Sequence, residues 1–406
     1  MEIKSVGKFR IAVKQNLYEN IIPFWLNYAI DQEQGGFHGR ITNDLRPEPG
    51  APRCVILITR ILWAFSALYQ FDPDERFINI ARRVYNYLTA KFLDKKYGGV
   101  YWMISSKGEA IDVMKKVYGQ AFAVYALSEY YAATGEDAAL NSAIQIFRLI
   151  EKHNHDDIYQ GYLEVCNRDW SPSDNMQLSA VDMNEKKSMN SHLHLLEAYT
   201  NLYRQTKDDE VGDRLRELID CHLKHIIDPH TFHLRLFFDE RWITKSEIVS
   251  FGHDIEASWL LLEAAEVLGD QQILMHVRAI AQKMVAAVSA EGFNERGVLY
   301  MERDERGDLL TDRFDWWPQA EAVVGFLNAY QLSGRDLYLD QALRGWNFIE
   351  KYFIDREYGE WFYEVSAEGI PNPNRYKASE WKCPYHNIRA CLEIIKRTDS
   401  VTFMRK

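Results

Sequence analysis

Hydrophobic residues recur every three or four positions through most of the chain, which is the spacing that places apolar side chains on one face of an α-helix. Six strongly apolar segments follow this pattern, and six more amphipathic segments alternate with them. The apolar segments span 60–70, 118–135, 189–203, 252–269, 316–334 and 385–397. The amphipathic segments span 8–30, 74–93, 137–152, 208–227, 271–289 and 336–354. The pattern therefore predicts twelve helices.

A short stretch rich in glycine and aromatic residues separates the members of each helix pair. It occurs as "QGGFHGRI" near residue 36 and recurs as "YGGVYWMI", "QGYLEV", "HLRLFFDERW", "RGVLYMER" and "YGEWFYEV". The interval of about 62 to 72 residues is typical of two-helix repeats with loops. Alternating apolar and polar residues after a glycine favour a small β-ribbon. The chain therefore consists of six copies of one unit.

The repeat continues without an obvious linker, so we predict a single domain over residues 1–406. Six helical hairpins can stack into an open solenoid, or they can close into an (α/α)6 barrel, which hides both end faces without capping repeats. No strand pattern is long enough for a parallel sheet. We therefore predict an all-α fold, an (α/α)6 barrel of twelve helices with short β-ribbons or loops at the active-site end.

Composition narrows the class of protein. The net charge of −11, with no basic stripe, argues against a nucleic-acid partner. The N-terminal stretch "MEIKSVGKFRIAVKQ" has no apolar core, and no apolar run is long enough to span a bilayer, so we expect no membrane partner. The five cysteines are odd in number and show no framework spacing. We therefore expect a cytoplasmic protein.

Polar residues gather where the apolar helices begin. When the helices are aligned on their apolar stripes, Glu256, Glu321 and Asn190 fall at one equivalent position. His253 and His386 fall at another, because "GHDIEA" and "YHNIRA" superimpose residue for residue. In a closed barrel these helix starts would surround one cavity. The other polar residues near them are Arg60, Tyr118 and His194.

Metal chemistry is not indicated. His192 and His194 form an HxH pair, but residues two apart on a helix point to different faces. No residues of the predicted ring have chelating spacing, and the dinucleotide, phosphate-loop and HExxH motifs are absent from the sequence. We therefore predict that the protein needs no metal and no cofactor.

The predicted ring suits proton transfer at carbon. Histidine titrates near neutrality, so His253 and His386 could remove a proton from one face of a carbon and return it to the other. Proton removal next to a carbonyl creates an enediolate, and Arg60 remains cationic in any environment. The indoles of Trp316, Trp317 and Trp381 could stack on sugar rings, or they could simply pack.

Four segments carry a family resemblance: "SMNSHLHLLEAYTNLY", "FGHDIEASWLLLEAA", "WWPQAEAVVGFLNAYQLSG" and "WKCPYHNIRACLEII". They resemble the cellobiose 2-epimerases of the N-acylglucosamine 2-epimerase superfamily, and the likeness begins at "ITRILW" and reaches the last helix. It implies an (α/α)6 barrel and reversible C2 epimerisation of the reducing-end glucose or mannose of β-1,4-linked disaccharides. Cellobiose would become glucosyl-mannose, lactose would become epilactose, and mannobiose would also react, with no metal or nucleotide.

The same resemblance assigns roles to residues. His253 and His386 match the acid/base pair that exchanges the C2 proton, His194 matches a third histidine that assists ring opening, and Arg60 matches the residue that binds the enediolate oxygens. We also expect Glu256, one turn after His253, to orient that imidazole. The residues expected to bind substrate are Tyr118, Asp182, Asn190, Glu256, Trp316, Glu321 and Trp381.

Other functions remain open at this level. A glycoside hydrolase could use Glu256 and Glu321 as its two carboxylates, although three histidines would then have no role. A monosaccharide epimerase acting on N-acylglucosamine or mannose, or an aldose–ketose isomerase, could use the same enediolate. A sugar-binding protein without catalysis is a further alternative. We expect a small-molecule disaccharide substrate and a monomer or weak homo-oligomer.

Overall fold

The computed structural model describes residues 2–404, and within that range twelve helices alternate between an outer and an inner layer. Three outer helices contain a π-helical turn. The outer helices are α1 (Glu2–Asn16, continued by a π-helical turn at Leu17–Ile21 and by Ile22–Asn27), α3 (Glu75–Lys91), α5 (Asp137–His153), α7 (Asp209–Cys221, continued by a π-helical turn at His222–Ile226), α9 (Gln271–Glu291) and α11 (Asp336–Phe348, continued by a π-helical turn at Ile349–Phe353). Each outer helix is followed in the chain by an inner one. The inner helices are α2 (Val55–Phe71), α4 (Val117–Thr134), α6 (Met189–Thr206), α8 (Phe251–Leu268), α10 (Trp316–Ser333) and α12 (Tyr385–Met404).

The two layers differ as their sequences predict. Inner helix α2 is buried on all sides from Val55 to Leu68, because it packs between its neighbours and the outer layer. Outer helix α3 buries one face only, and its N-cap is Asp74, whose carboxylate accepts the backbone N–H of Arg76. The predicted number and type of helices are confirmed. The main differences in boundary are that α1 begins earlier than residue 8, α2 begins at Val55 and not at Arg60, and α12 continues past residue 397 to Met404.

The barrel is closed. Each inner helix packs against the next one, from α2 through α4, α6, α8 and α10 to α12, and α12 packs back against α2. Near the first ribbon, the N–H of Ile41 donates to the carbonyl of Ala378, which lies just before α12. The first and last repeats therefore join, and the chain is a barrel and not an open solenoid.

Short antiparallel strands link neighbouring repeats at the N-terminal end of the inner helices. Each two-residue strand before an inner helix pairs with a strand in the ribbon of the next repeat. The predicted ribbons are thereby confirmed as short structures at one end of the barrel. The strands are β1 (Arg53–Cys54), β2 (Met103–Ile104), β3 (Ala110–Asp112), β4 (Lys115–Lys116), β5 (Val165–Cys166), β6 (Lys187–Ser188), β7 (Phe237–Phe238), β8 (Val249–Ser250), β9 (Glu302–Arg303), β10 (Phe314–Asp315) and β11 (Glu364–Val365).

One helix among the described residues, α9, is long and apolar enough to cross a membrane by length and composition alone. In the fold it is an outer helix, and Val277, Met284 and Val285 bury its inward face while the opposite face is exposed. Its apolar character therefore has a structural explanation in the barrel wall. The five cysteines are free and buried.

Candidate active site

Backbone hydrogen bonds fix the height at which the inner helices start along the barrel axis. The first residue of each of five inner helices donates its N–H to a carbonyl in the next repeat, as Val55 does to Trp102 and Phe251 does to Met301. The sixth residues therefore lie at one level around the barrel axis. With the last helix aligned through "YHNIRA", that level contains Arg60, Phe122, His194, Glu256, Glu321 and Arg389.

This register corrects one sequence prediction. Asn190 is the second residue of its helix, so it is equivalent to Gly252 and lies one turn nearer the rim than Glu256. His194 occupies the level that was predicted for Asn190. The apolar stripe alone left this one-turn ambiguity because a helix repeats its own face about every 3.6 residues.

A cavity of about 250 Å³ opens at the N-terminal end of the inner helices. Ten of the eleven residues predicted from sequence line it, and Glu321 does not. The cavity-lining residues are Arg60, Tyr118, Leu178, Ser179, Val181, Asp182, Asn190, His194, His253, Glu256, Trp316, Trp317, Tyr363, Trp381 and His386.

Two of the three histidines are held by carboxylates behind them. His386 Nδ1 lies 2.7 Å from Glu321 Oε1, and His194 Nδ1 lies 3.0 Å from Glu197 Oε2. A carboxylate accepts hydrogen bonds, so each contact favours a proton on Nδ1 and leaves Nε2 with its lone pair. Both side chains thus offer a basic nitrogen that the carboxylate does not occupy. Glu321 supports His386 from below the cavity and does not line it, which differs from the substrate-binding role that the sequence predicts.

The third histidine has a different partner from the one expected. Nδ1 of His253 lies 2.8 Å from Oγ of Ser250, one turn earlier in the chain. Glu256 does not contact His253; it accepts a hydrogen bond of 2.5 Å from Nη2 of Arg389. The expectation that Glu256 orients His253 is therefore wrong, because the axial register turns its carboxylate toward the barrel centre.

Below the cavity, Arg389 lies at the centre of a layer of polar side chains formed with Glu197, Glu256, Glu321 and Tyr385, which we call the lower layer. Arg389 was not among the residues selected from the sequence. Its Nη2 donates to Glu256 and, over 2.7 Å, to Glu321, while its Nη1 donates to Glu197 and to the hydroxyl of Tyr385. Four partners thus meet one buried guanidinium. The signal was present in the alignment of "GHDIEA" with "YHNIRA", which sets an arginine at the position of Glu256.

Arg60 lies on the wall of the cavity among aromatic rings. Its Nη2 donates to the hydroxyl of Tyr118 over 3.0 Å, and its guanidinium carbon lies 4.4 Å from the ring centre of Phe122 and 4.9 Å from that of Tyr385. The two rings pack against the guanidinium and fix its orientation. Its Nε has no hydrogen-bond partner. The side chain therefore carries a fixed positive charge with donor capacity to spare.

Aromatic side chains form the opposite and upper walls. The ring of Trp317 lies 4.7 Å from that of His253 and 5.5 Å from that of His386, so it contacts both histidines. The ring of Trp316 lies 4.6 Å from that of Tyr363, which belongs to the last ribbon. Trp381 approaches Tyr118 at 6.1 Å. Such walls suit the apolar faces of sugar rings.

Several polar atoms at the cavity have no partner. The side-chain carbonyl oxygen of Asn190 and the indole N–H of Trp316 are both buried and unbonded. Asp182 differs, because its carboxylate accepts the backbone N–H and the hydroxyl of Ser179, at 2.8 Å and 2.7 Å. Asn190 and Trp316 are therefore better placed than Asp182 to exchange hydrogen bonds with hydroxyl groups of a ligand.

Burial keeps the histidines neutral. It lowers the pKa of His253 to about 3, with repulsion from His194 adding to the effect. It also lowers the pKa of His386 well below the usual value, together with the positive charges of Arg60 and Arg389. The pKa of His194 is lowered by burial despite the nearby Glu197 carboxylate. Neutral imidazoles can act as bases at working pH.

The carboxylates around Arg389 titrate differently from one another. Burial and the adjacent Glu321 raise the pKa of Glu256 to about 8. Burial alone would also raise the pKa of Glu197, but Arg389 and His194 outweigh it and lower that pKa to about 2. Burial also raises the pKa of Glu321, although the hydrogen bond and charge of Arg389 oppose that shift. Glu256 and Glu321 therefore hold protons more strongly than ordinary carboxyls, whereas Glu197 is ionised.

Glu256, Glu321 and His386 approach one another closely enough to hold a metal ion, their ligand atoms lying within 4.8 Å. The sequence had indicated no chelating spacing, because these residues come from three different helices. The arrangement does not suit a metal, since Arg389 already donates to both carboxylates and a second cation would be repelled by it. Metal independence stays a prediction.

The two histidines of the HxH pair point in different directions, as predicted. His192 is fully buried away from the cavity, where its Nδ1 bonds the carbonyl of Ser188 and its Nε2 accepts the N–H of Tyr162. His194 lines the cavity. His192 therefore holds the third ribbon against its inner helix, and the two rings do not form a common ligand site.

A family model described as N-acylglucosamine 2-epimerase (GlcNAc 2-epimerase) matches residues 35–390. The cellobiose 2-epimerase of Bacteroides fragilis is 42% identical over 383 residues, which cover 94% of this chain and 97% of that protein. The cellobiose 2-epimerase of Dictyoglomus turgidum is 42% identical with the same coverage of both chains. The solved cellobiose 2-epimerase of Bacillus thermoamylovorans matches with a TM-score of 0.91 at 38% identity, covering 96% of this chain and 100% of that one.

Proposed function

The chain belongs to the N-acylglucosamine 2-epimerase family and is an epimerase, and from that premise we propose that it inverts C2 of the reducing-end sugar of β-1,4-linked disaccharides. Cellobiose and glucosyl-mannose, or lactose and epilactose, would interconvert, and mannobiose would also react. The observation that carries this proposal is the convergence of His253, His386 and Arg60 on one cavity with aromatic walls.

The first step follows from the neutral imidazoles. In the open-chain sugar, Nε2 of one histidine takes the C2 proton, and the C2–H electron pair forms a C1–C2 double bond while the carbonyl oxygen becomes negative. Arg60 supports this step because a buried guanidinium stabilises charge that develops on the enediolate oxygens. His194, also on the cavity wall, is suited to the proton transfers of ring opening.

The second step returns a proton to the other face. Rotation about C2–C3 turns the planar cis-enediolate. The second histidine takes a proton from solvent onto Nε2 and, as an imidazolium, delivers that proton to C2, so the electron pair goes back and the carbonyl reforms. The first imidazolium releases the proton that it removed to solvent, and both imidazoles are neutral again. His253 and His386 come from different inner helices and both contact Trp317 at the same cavity, which supports their use as two separate bases on one substrate. No atoms are gained or lost, as an isomerisation requires.

The geometry argues against hydrolysis by Glu256 and Glu321. A glycoside hydrolase needs two carboxyl groups that flank the scissile oxygen. Here Glu321 lies outside the cavity lining, and both side chains accept hydrogen bonds from Arg389. These two glutamates therefore have no free space between them for a glycosidic bond.

The decisive experiment is incubation with cellobiose, mannobiose, lactose and N-acetylglucosamine in D₂O, followed by product analysis. We expect C2 epimers of the disaccharides that carry deuterium at C2, because each imidazole exchanges its proton with water between turnovers. Released glucose would indicate a hydrolase, and a ketose would indicate an isomerase. An epimer without deuterium would contradict the two-histidine scheme, and reaction with N-acetylglucosamine alone would contradict the disaccharide assignment.

We also propose that the enzyme works in the cytoplasm as a monomer or weak homo-oligomer. Five buried, unpaired cysteines support a reducing compartment. The cavity is built from the residues of one chain, which supports activity without a partner subunit. Sedimentation at the working concentration would test the oligomeric state.

A further inference from the structure

We propose that Arg389 is a positioning residue that fixes the orientation and tautomer of His194 and His386 together, through Glu197 and Glu321. This inference rests on the proposed function, because it assigns a purpose to the lower layer of the same site. Arg389 itself does not line the cavity, so it acts through other residues and not on the sugar.

The contacts form two parallel chains that meet at one guanidinium. On one side, Nη1 of Arg389 donates to Glu197 Oε1, and Glu197 Oε2 lies 3.0 Å from Nδ1 of His194. On the other side, Nη2 donates to Glu321 Oε1, which lies 2.7 Å from Nδ1 of His386. Each carboxylate thus has the cation behind it and a histidine in front.

The guanidinium is needed because the layer is buried. Arg389, Glu197 and Glu321 expose at most 3% of their side chains. A carboxylate that loses its cation in such a place takes up a proton, since ionised groups are costly to bury alone. A protonated carboxyl can donate to Nδ1, which would move the histidine proton to Nε2 and remove the base from the cavity.

The indole of Trp259 reinforces one of the two chains. Its N–H donates to Glu321 Oε2 over 3.1 Å, and its ring lies 4.9 Å from the guanidinium carbon of Arg389. The second oxygen of Glu321 is thereby occupied, so only Oε1 faces His386. Glu197 is fixed in a similar way, because the hydroxyl of Tyr385 donates to its Oε1.

A second cavity makes it possible to test the role of Arg389 by chemical rescue with a small cation. This lower cavity, of about 290 Å³, lies at the C-terminal end of the inner helices, and Arg389 forms part of its lining. A small cation could therefore reach the position of a shortened side chain from below without crossing the active site.

The experiment compares the full-length protein with the variants Arg389→Ala and Arg389→Lys. Two-bond ¹H–¹⁵N spectra of protein labelled at its 12 histidines report which ring nitrogen carries the proton, and His194→Asn and His386→Asn assign the signals. Kinetics with cellobiose are measured on the same samples. Arg53→Ala is the matched control, because Arg53 is equally buried but bonds Asp31 and the hydroxyl of Tyr87 instead of Glu197 and Glu321. Only the signals of His194 and His386 are compared, since His38 lies 3.7 Å from Asp31 and will respond to this variant.

In the wild type we expect both histidines to carry the proton on Nδ1. In Arg389→Ala we expect both to change tautomer and kcat to fall about 100-fold, while KM changes by less than about threefold. Arg389→Lys keeps the positive charge but loses the forked set of N–H donors of the guanidinium. Its kcat and its fraction of Nδ1-protonated histidine should therefore lie between those of the wild type and those of Arg389→Ala. Guanidinium chloride at about 20 mM, far below denaturing concentrations, should restore tautomers and kcat of Arg389→Ala alone.

Three results would overturn the proposal. The histidines of Arg389→Ala could keep their tautomers, kcat could fall without any change in the spectra, or Arg53→Ala could produce the same spectral change. If Arg389→Ala does not fold, Arg389→Lys decides by the same criteria. If the wild type epimerises no disaccharide, the proposed function fails, but the spectra still report whether Arg389 sets the two tautomers.

Discussion

At the scale of single residues, the site depends on which atom of each histidine is occupied. Nδ1 of His386 faces Glu321, Nδ1 of His194 faces Glu197, and Nδ1 of His253 faces Ser250. Ser250 differs from the two glutamates because a hydroxyl can either donate or accept. His253 therefore has the freedom to change tautomer during a turnover, whereas the other two are held by acceptors.

Replacement of His253 or His386 by Asn should separate exchange from inversion. Asparagine has roughly similar size but no titratable base, so we expect epimerisation to fall by a factor of about 10³ in either variant. The remaining histidine should still exchange the C2 hydrogen of one epimer with D₂O. Mass spectrometry of recovered cellobiose and glucosyl-mannose measures this exchange, and equal exchange of both epimers in both variants would contradict the assignment of one histidine to each face.

The pH dependence should reflect the lowered histidine pKa values. Because burial keeps His253 neutral down to a pKa of about 3 and also lowers the pKa of His194 and His386, kcat/KM should not fall at pH 6.5, the usual value for histidine. In the unfolded chain the same residues take up protons below about pH 6.5, so the free energy of unfolding should decrease as pH falls from there toward 3. A kcat/KM profile with an acid limb near 6.5 would contradict the burial argument.

At the scale of elements, the ribbons determine where the inner helices start. The fourth residue of an inner helix holds its own ribbon: Gln120 accepts the N–H of Val100, and His192 accepts that of Tyr162. A turn glycine in each of these two ribbons allows the close approach. Ribbon and helix are thereby locked in one register, which in turn sets the level of the catalytic residues.

Gly161 should be far less tolerant of substitution than Gly334. Both have positive φ, 74° and 67°, so alanine costs about 1 kcal/mol at either position. A Cβ at Gly161 would also lie 2.4 Å from the ring of Trp242 and 2.7 Å from Nε2 of His192, whereas nothing lies within 4 Å of one at Gly334. We expect Gly161→Ala to lower the free energy of unfolding by about 3 kcal/mol in total. Urea unfolding measures both variants, and equal losses would contradict the packing argument.

At the scale of the whole molecule, closure of the barrel ties the ends of the chain together. The indole N–H of Trp25 in the first helix donates to Glu360 in the last ribbon over 2.6 Å, and Ile41 bonds Ala378. Arg389 of the last helix bonds residues of three other inner helices. In an open solenoid, each repeat would contact only its neighbours, and the ends could open separately.

The predicted single domain should therefore unfold in one transition. We expect far-UV circular dichroism and the fluorescence of the 11 tryptophans to give the same urea midpoint, since the tryptophans occur from the first helix to Trp381. Breaking the closure with Trp25→Phe should shift both midpoints together. Two separated transitions would contradict a single cooperative domain.

The amino-acid sequence by itself determined the repeat, the helices and the residue types of the site. Helical periodicity and recurring glycines are local properties, so six helix pairs and their ribbons could be recognised from their spacing. His253, His386 and Arg60 could be selected because polar groups at helix starts depart from the apolar pattern. The family resemblance added their expected roles.

The tertiary structure alone decided the axial level of each side chain and its partner. Sequence patterns repeat with every helical turn, so they could not distinguish the level of Asn190 from that of Glu256. The grouping of Glu197, Glu256 and Glu321 around Arg389 depends on contacts between helices that are far apart in the chain. Because Arg389 binds Glu256, the nearby Ser250 bonds His253 in its place. Such contacts are fixed only when the barrel closes, because closure sets the rotation and height of every inner helix about one axis.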